Sequence, residues 1–236
     1  MSSKKLSIVL PCYNPDKNWV ANILIRYNEI AQHLKNYSIN VIIVNDGSSQ
    51  NIDGELSEIE KKLPNCQIIS YPANKGKGFA IRKGVEAAFG DYIIYTDIDF
   101  PYTNESILEI VNKLDNSDIT IGTRGLSYYN NIPAHRIFIS KLLKFLIKTL
   151  LQIPTDDTQG GLKGMRNEVK QYFLQTEINR YLFDLEFICI ASKNKLNIDL
   201  IPVVLNENTI VRKMNLKVVS KEMINFFKVY TKMVFS

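Results

Sequence analysis

Cysteine, histidine and tryptophan are scarce in this chain, with three, two and one among 236 residues. Cys12, Cys66 and Cys189 are odd in number, far apart and without metal-ligand spacing. They are expected to be reduced thiols of a cytoplasmic protein, which excludes a disulfide framework and a cysteine-built zinc site. His33 and His135 are too isolated in sequence to be argued as metal ligands. Long apolar runs are also missing. The longest hydrophobic stretch, Ile137–Ile153, is interrupted by Lys141, Lys144 and Lys148, whereas a bilayer span needs about 20 apolar residues. Those lysines share one helical face, so the stretch is either a core helix with a wet lysine stripe or a helix lying on a membrane. Met1–Lys5 is polar and Pro11 cuts the following apolar run short, so no secretory signal is expected and any membrane attachment is peripheral. There is no internal repeat, low-complexity tract or linker, which fits one domain over 1–236.

What the chain does have is an uneven charge. Its net charge is +5, yet residues 1–134 hold 13 Lys/Arg against 15 Asp/Glu and the remainder holds 16 against 9. The basic excess peaks over Arg212–Lys232, where Lys217, Lys221, Lys228 and Lys232 alternate with Val218, Met223, Ile224, Phe226, Phe227 and Tyr230. This is the pattern of a membrane-surface helix or of a solvated face on a packed one. No recognition motif accompanies it, so nucleic acid is not an expected partner.

Short β-branched runs alternate with helical patterns. Leu6–Leu10 ends at Pro11, Val41–Val44 ends at Asn45-Asp46-Gly47, and a helical pattern covers about Asp16 to Lys35 between them. Continuous apolar runs of this kind indicate an α/β fold with a mostly parallel sheet covered by helices on both faces. Ligands of such sheets bind beyond the carboxyl ends of the strands. Tyr13, Asp46 and the pair Asp97/Asp99 of DYIIYTDID (Asp91–Asp99) all fall at those ends. Alternate residues of a strand end point to one side, so the two aspartates can meet one ligand. Hard carboxylate oxygens favour Mg²⁺ or Mn²⁺, which in turn bind phosphates. The turn Asn74-Lys75-Gly76-Lys77-Gly78 opens a further helix to about Ala88 and suits a phosphate, through its glycines, its helix start and its lysines. It is neither a P-loop nor a G-x-G-x-x-G fingerprint.

SIVLPCYN (Ser7–Asn14), VNDGSS (Val44–Ser49), NKGKGFAIRKG (Asn74–Gly84) and YTDID (Tyr95–Asp99) together resemble the nucleotide-sugar-binding half of family 2 inverting glycosyltransferases with the GT-A (Rossmann-like) fold. IGTR (Ile121–Arg124), DTQGGLKGM (Asp157–Met165) and YLFDLEFICIAS (Tyr181–Ser192) are similar to the polyprenyl-phosphate members, the dolichyl-phosphate β-glucosyltransferases among them. Gly160 and Leu162 depart from the Cys and Phe usual there. The resemblance implies a donor half over about 1–122, an acceptor half over about 123–205 and a basic amphipathic segment over about 206–236. It makes Asp99 a metal ligand, puts Asp97 on the ribose side of the nucleotide and on the metal, lets Asp46 accept from the base, and lines the nucleoside with Pro11 and Tyr13. Lys75, Gly76 and Lys77 fall to the donor phosphates. Asp157 and Asp184 fall to the acceptor end, where Arg124 and Arg136 flank a loop and suit a phosphate; Glu186 is left a backbone or arginine partner. The implied reaction moves a hexose from a nucleotide sugar, a UDP-sugar foremost, to a polyprenyl phosphate at the cytoplasmic membrane face. The alternatives are a family 2 enzyme acting on a sugar hydroxyl of a glycan or glycolipid and a nucleotide-sugar-binding protein without turnover.

Overall fold

The computed structural model describes residues 3–125, 144–151, 153–155, 157–158, 160–206 and 216–235. Arg136 and Arg212 lie outside these residues, as does the first part of Ile137–Ile153. The chain begins β1 (Lys4–Cys12), α1 (Trp19–His33), β2 (Tyr37–Asp46), α2 (Asp53–Lys62), β3 (Cys66–Tyr71), α3 (Lys77–Ala87) and β4 (Tyr92–Tyr95). It continues α4 (Asn104–Lys113), β5 (Ile119–Arg124), helical residues 144–150 (α5), β6 (Lys163–Arg166), α6 (Lys170–Phe173), α7 (Phe183–Lys193), β7 (Ile198–Val203) and α8 (Leu216–Phe235). These strands form one seven-stranded sheet in the order β3-β2-β1-β4-β6-β5-β7. It is parallel except at β6, which runs antiparallel between β4 and β5.

Strand alternation sorts the core into two layers. Leu6, Ile8 and Leu10 of β1 pack with Val20 and Ile23 of α1, Ile59 of α2 and Ile110 of α4. Val9, Ile42 and Val44 face the other way, toward Ala80 and Ile81 of α3, Phe187 of α7 and Phe226 of α8. Both faces are therefore covered, and the strands are the near-continuous apolar runs that such burial requires. Gly84 brings α3 close to the sheet, since a Cβ there would collide with Val9.

One boundary differs from the sequence pattern. The helix expected from Asp16 starts at Trp19, because the Asp16 carbonyl accepts from the Trp19 amide in a turn after Pro15. In α5, Ile147 is fully buried while Lys148 is exposed, as in a packed helix, but Phe145 is 63% exposed. Among the described residues no helix is long and apolar enough to cross a membrane.

Candidate active site

The carboxyl ends of β1, β2 and β4 open onto one edge of the sheet, and side-chain ties hold their loops together. After β1, Asn14 adopts φ 45°. Its Oδ1 accepts from the amides of Ser49 at 2.9 Å and Gln50 at 3.2 Å, and its own amide donates to Ser48 Oγ at 3.0 Å. This leaves Tyr13 45% exposed above the sheet and Pro11 half-buried.

Asp46 ends β2 and is buried. Its carboxylate accepts four hydrogen bonds: from the Lys75 amide at 2.7 Å and Tyr71 Oη at 2.8 Å on Oδ1, and from Asn74 Nδ2 at 2.8 Å and the Gly76 amide at 2.9 Å on Oδ2. A carboxylate offers about four lone-pair positions. Asp46 thus braces the Asn74–Gly76 turn, and a base N–H would have to displace one of these donors. The same turn corrects the expectation of an amide cradle. The Gly78 and Phe79 amides both donate to the Asn179 carbonyl, at 2.8 and 3.2 Å. Two of the orphan N–H groups of the helix start are thus met by protein, and Gly76, at φ 104°, aims its own amide at Asp46. What the turn offers a phosphate is lysine charge. Lys75 is exposed, its Nζ 4.6 Å from the Phe79 ring centroid.

Lys77 is not a solvated surface residue. Its ammonium makes a short ion pair with Asp97 Oδ1. Burial lowers its pKa, but Asp97 and then Asp184 and Tyr181 outweigh that, and the net shift is upward. Asp97 sits half-buried at the start of a turn closed by the Phe100 amide on its carbonyl at 3.0 Å. Asp99 is exposed at the tip, and its carbonyl accepts from Asn22 Nδ2 at 2.9 Å. Two carboxylates of one turn are hard oxygen donors suited to Mg²⁺ or Mn²⁺ once a diphosphate adds its own oxygens. Among the described residues no cluster of three such side chains exists.

A second group of charged side chains gathers where β6 enters between β4 and β5, at the residues that the resemblance gives to the acceptor. Arg124, the last residue of β5, closes a fork on Asp157: Nε lies 3.0 and 3.2 Å from the two carboxylate oxygens, Nη2 joins Oδ1, and the Arg124 amide donates to Oδ2 at 2.7 Å. Burial raises the Asp157 pKa, but Arg124 overrides it and the net shift is downward. The guanidinium assigned from sequence to an acceptor phosphate is therefore turned onto Asp157, because that buried carboxylate needs a counter-ion. Gly160 lies against the Gly122 carbonyl, where a Cβ would collide. No cysteine fits at 160 with this backbone.

Asp184 is also more enclosed than its motif suggests. Its Oδ1 accepts from Tyr95 Oη at 2.5 Å and pairs with Lys163 Nζ at 3.1 Å. Lys163 is fully buried and donates to the Gly160 carbonyl at 2.5 Å. Burial raises the Asp184 pKa and lowers that of Lys163. Glu186, next on the helix, accepts from the amides of Glu177 at 2.8 Å and Ile178 at 2.9 Å and pairs with Lys232 of α8 at 3.0 Å. Lys163 and Tyr95 lie within the motifs DTQGGLKGM and YTDID, but neither is singled out there as a site residue. Only the pairing of Tyr95 with Lys163 across β4 and β6 brings them together.

Known proteins are similar to this chain in sequence and in fold. The family described as Glycosyl transferase family 2 matches residues 7–173. A dolichyl-phosphate beta-glucosyltransferase of Trichomonas vaginalis is 29% identical over 217 residues, covering 86% of this chain and 66% of its own length. One from Dictyostelium discoideum is 27% identical, with 85% and 65% covered. The chain thus spans about two thirds of these relatives. A UDP-N-acetylglucosamine–dolichyl-phosphate N-acetylglucosaminyltransferase of Methanococcus voltae is 28% identical, with 86% of both chains covered. Among solved structures, glucosyl-3-phosphoglycerate synthase from Mycobacterium tuberculosis with phosphoglyceric acid superimposes at a TM-score of 0.72 with 14% identity, over 98% of this chain and 80% of that one. The same synthase with Mn²⁺, uridine-diphosphate-glucose and phosphoglyceric acid gives 0.68.

Proposed function

The chain belongs to the family 2 glycosyltransferases, a GT-A fold, and from that premise we propose that it transfers a hexose from a UDP-sugar to a polyprenyl phosphate with inversion. The observation that carries the acceptor is the Arg124–Asp157 fork. A sugar hydroxyl gives up its proton best to a base within reach whose pKa lies near the working pH. Asp157 is held below the usual carboxylate range, and Asp184 is enclosed between Lys163 and Tyr95. A phosphate monoester needs no such base, since its second pKa is about 6. The glycan-hydroxyl reading lacks a base at these two positions.

In this account Pro11 and Tyr13 line the nucleoside, and Asp46 holds the turn that carries Lys75 and Lys77 to the diphosphate. Asp97 and Asp99 would hold Mg²⁺ or Mn²⁺, which supplies Lewis-acid stabilisation of the departing diphosphate. The acceptor oxygen forms the new bond to the anomeric carbon as the bond to the diphosphate oxygen breaks, and the electron pair leaves with the nucleotide. The Arg124–Asp157 pair shapes the acceptor end, together with Arg136, which lies outside the described residues.

Attachment at the cytoplasmic membrane face is part of the proposal. Ile224 is 60% and Phe227 55% exposed on α8, opposite the buried Phe226 and Val229 and beside exposed Lys221 and Lys228. An open groove of about 730 Å³ between α8 and the Glu177–Arg180 loop adds Lys75 and Arg180 to that basic surface. Apolar side chains flanked by lysines suit an anionic interface. The test is a panel of UDP- and GDP-sugars offered with undecaprenyl or dolichyl phosphate and, separately, with glycan acceptors, scored by extraction of labelled sugar into organic solvent.

A further inference from the structure

Four ionised groups meet below the Asp97 turn: Asp97 with Lys77, and Asp184 with Lys163. The set is electrically balanced and half-buried to buried throughout. A dication added at Asp97 without an accompanying anion would stand beside the Lys77 ammonium, at a place only partly open to water, with the two side chains 22% and 39% exposed. Lys77 has a long, flexible stem on a fixed base. It is the first residue of α3; the turn before it is tied down by Asp46, and the Gly78 and Phe79 amides after it by the Asn179 carbonyl. Its ammonium can therefore swing while its Cα stays. The other Asp97 oxygen, Oδ2, points toward Gly161, whose missing side chain leaves it room.

We propose that Lys77 is an exchangeable countercharge, neutralising Asp97 in the free protein and moving to the diphosphate when a divalent cation and nucleotide arrive together. The role rests on the Asp97/Asp99 turn being the cation site. Lys77 then opposes the cation alone and favours the cation with its diphosphate, so the two ligands bind with positive coupling. Linkage makes this reciprocal: Mn²⁺ must strengthen UDP binding by the factor by which UDP strengthens Mn²⁺ binding. The reason is local and electrostatic. An ammonium drawn onto Asp97 has less of its charge and fewer of its three N–H donors to give a diphosphate, and the cation releases it from the first to the second.

The experiment compares the full chain with Lys77→Met and Lys77→Arg, each checked for folding by circular dichroism. Free Mn²⁺ is counted by electron paramagnetic resonance, with and without UDP, and UDP affinity is measured by calorimetry with and without Mn²⁺. Lys77→Met should bind Mn²⁺ alone about tenfold more tightly, within the usual range for linked sites. It should lose most of the Mn²⁺–UDP coupling, and Lys77→Arg should keep most of it. A purely structural ion pair would give unchanged or weaker Mn²⁺ binding in Lys77→Met, with coupling as in the wild type, and that result overturns the exchange. Wild-type protein that binds no Mn²⁺ even with UDP present removes the cation site itself, and the role of Lys77 with it.

Discussion

Gly161 lies so close to Asp97 that a Cβ on it would stand 2.7 Å from Asp97 Oδ2. The neighbour is the tip of a side chain, so the backbone can survive the intrusion while Asp97 cannot keep its place. Gly161→Ala is therefore expected to leave thermal unfolding within about 1 kcal/mol of the wild type, as for a change that shifts one side chain. Its glycosyl transfer should drop at least about tenfold, which is about 1.4 kcal/mol of transition-state stabilisation. Full activity with a normal Mn²⁺ requirement would separate Asp97 from the reaction.

Asp99→Asn removes a charged oxygen at an exposed position and should not disturb folding. Loss of a cation ligand costs several kcal/mol at the transition state, so turnover should fall by orders of magnitude. Saturating Mn²⁺ that restores near-normal turnover would dismiss Asp99 as a ligand.

Asp46→Ala leaves the Lys75 and Gly76 amides without their acceptor. Hydrogen bonds to a charged group are worth about 1.5–3 kcal/mol each, so both stability and nucleotide affinity should drop. The expected kinetic pattern is a raised KM with kcat much less affected, as when binding is lost equally from ground and transition states. UDP affinity that stays unchanged in calorimetry would detach the turn from the donor site.

The Arg124–Asp157 fork carries a pH signature. The Asp157 pKa is depressed in the folded protein, so its contribution to stability is complete above the ordinary carboxylate value of 3.8 and is lost as pH falls through the depressed value. Arg124→Met should raise the Asp157 pKa and bring acid unfolding to a higher pH, with little effect above pH of about 6 beyond a constant loss. An unchanged acid limb in a denaturant titration would show that the fork does not stabilise the fold.

Breaking the buried pair at one end should be costly and breaking it at both ends less so. Lys163→Met strands Asp184 and is expected to destabilise by about 3–5 kcal/mol. Adding Asp184→Asn to it should recover part of that loss, a non-additivity of neighbours that a double-mutant cycle measures. Strict additivity would mean that Lys163 and Asp184 do not depend on each other.

Much of this was legible in the residue pattern, for physical reasons. LSIVL, VIIV and YIIY are short, apolar and β-branched because strands covered on both faces have no polar side, and the turn residues after them mark the sheet edge where Asp46, Asp97 and Asp99 gather. A strand through Gly161–Met165 is expected from the residues and β6 (Lys163–Arg166) bears it out, but its antiparallel direction is not legible in the pattern. KGMR is only four residues long, and a buried lysine reads as a surface one until Asp184, 21 positions later in the chain, is folded against it. The fork between Arg124 and Asp157 spans 33 residues, and the Asn179 carbonyl that occupies the α3 amides is a backbone atom with no sequence signature. Residue type announced which groups were chemical. Their partners, and so whether each was free to act, came only from the fold.

Transfer to a lipid phosphate without a general base is tested by letting a phosphate and a hydroxyl acceptor compete. Purified protein with Mn²⁺ and labelled UDP-hexose is offered an equimolar mixture of polyprenyl phosphate and the corresponding polyprenol, and the products are separated by extraction and tested for mild-acid lability. Label is expected almost entirely in an acid-labile polyprenyl phosphosugar of inverted anomeric configuration. Label in the polyprenyl glycoside, or in a glycan acceptor preferred over the lipid phosphate, would contradict it.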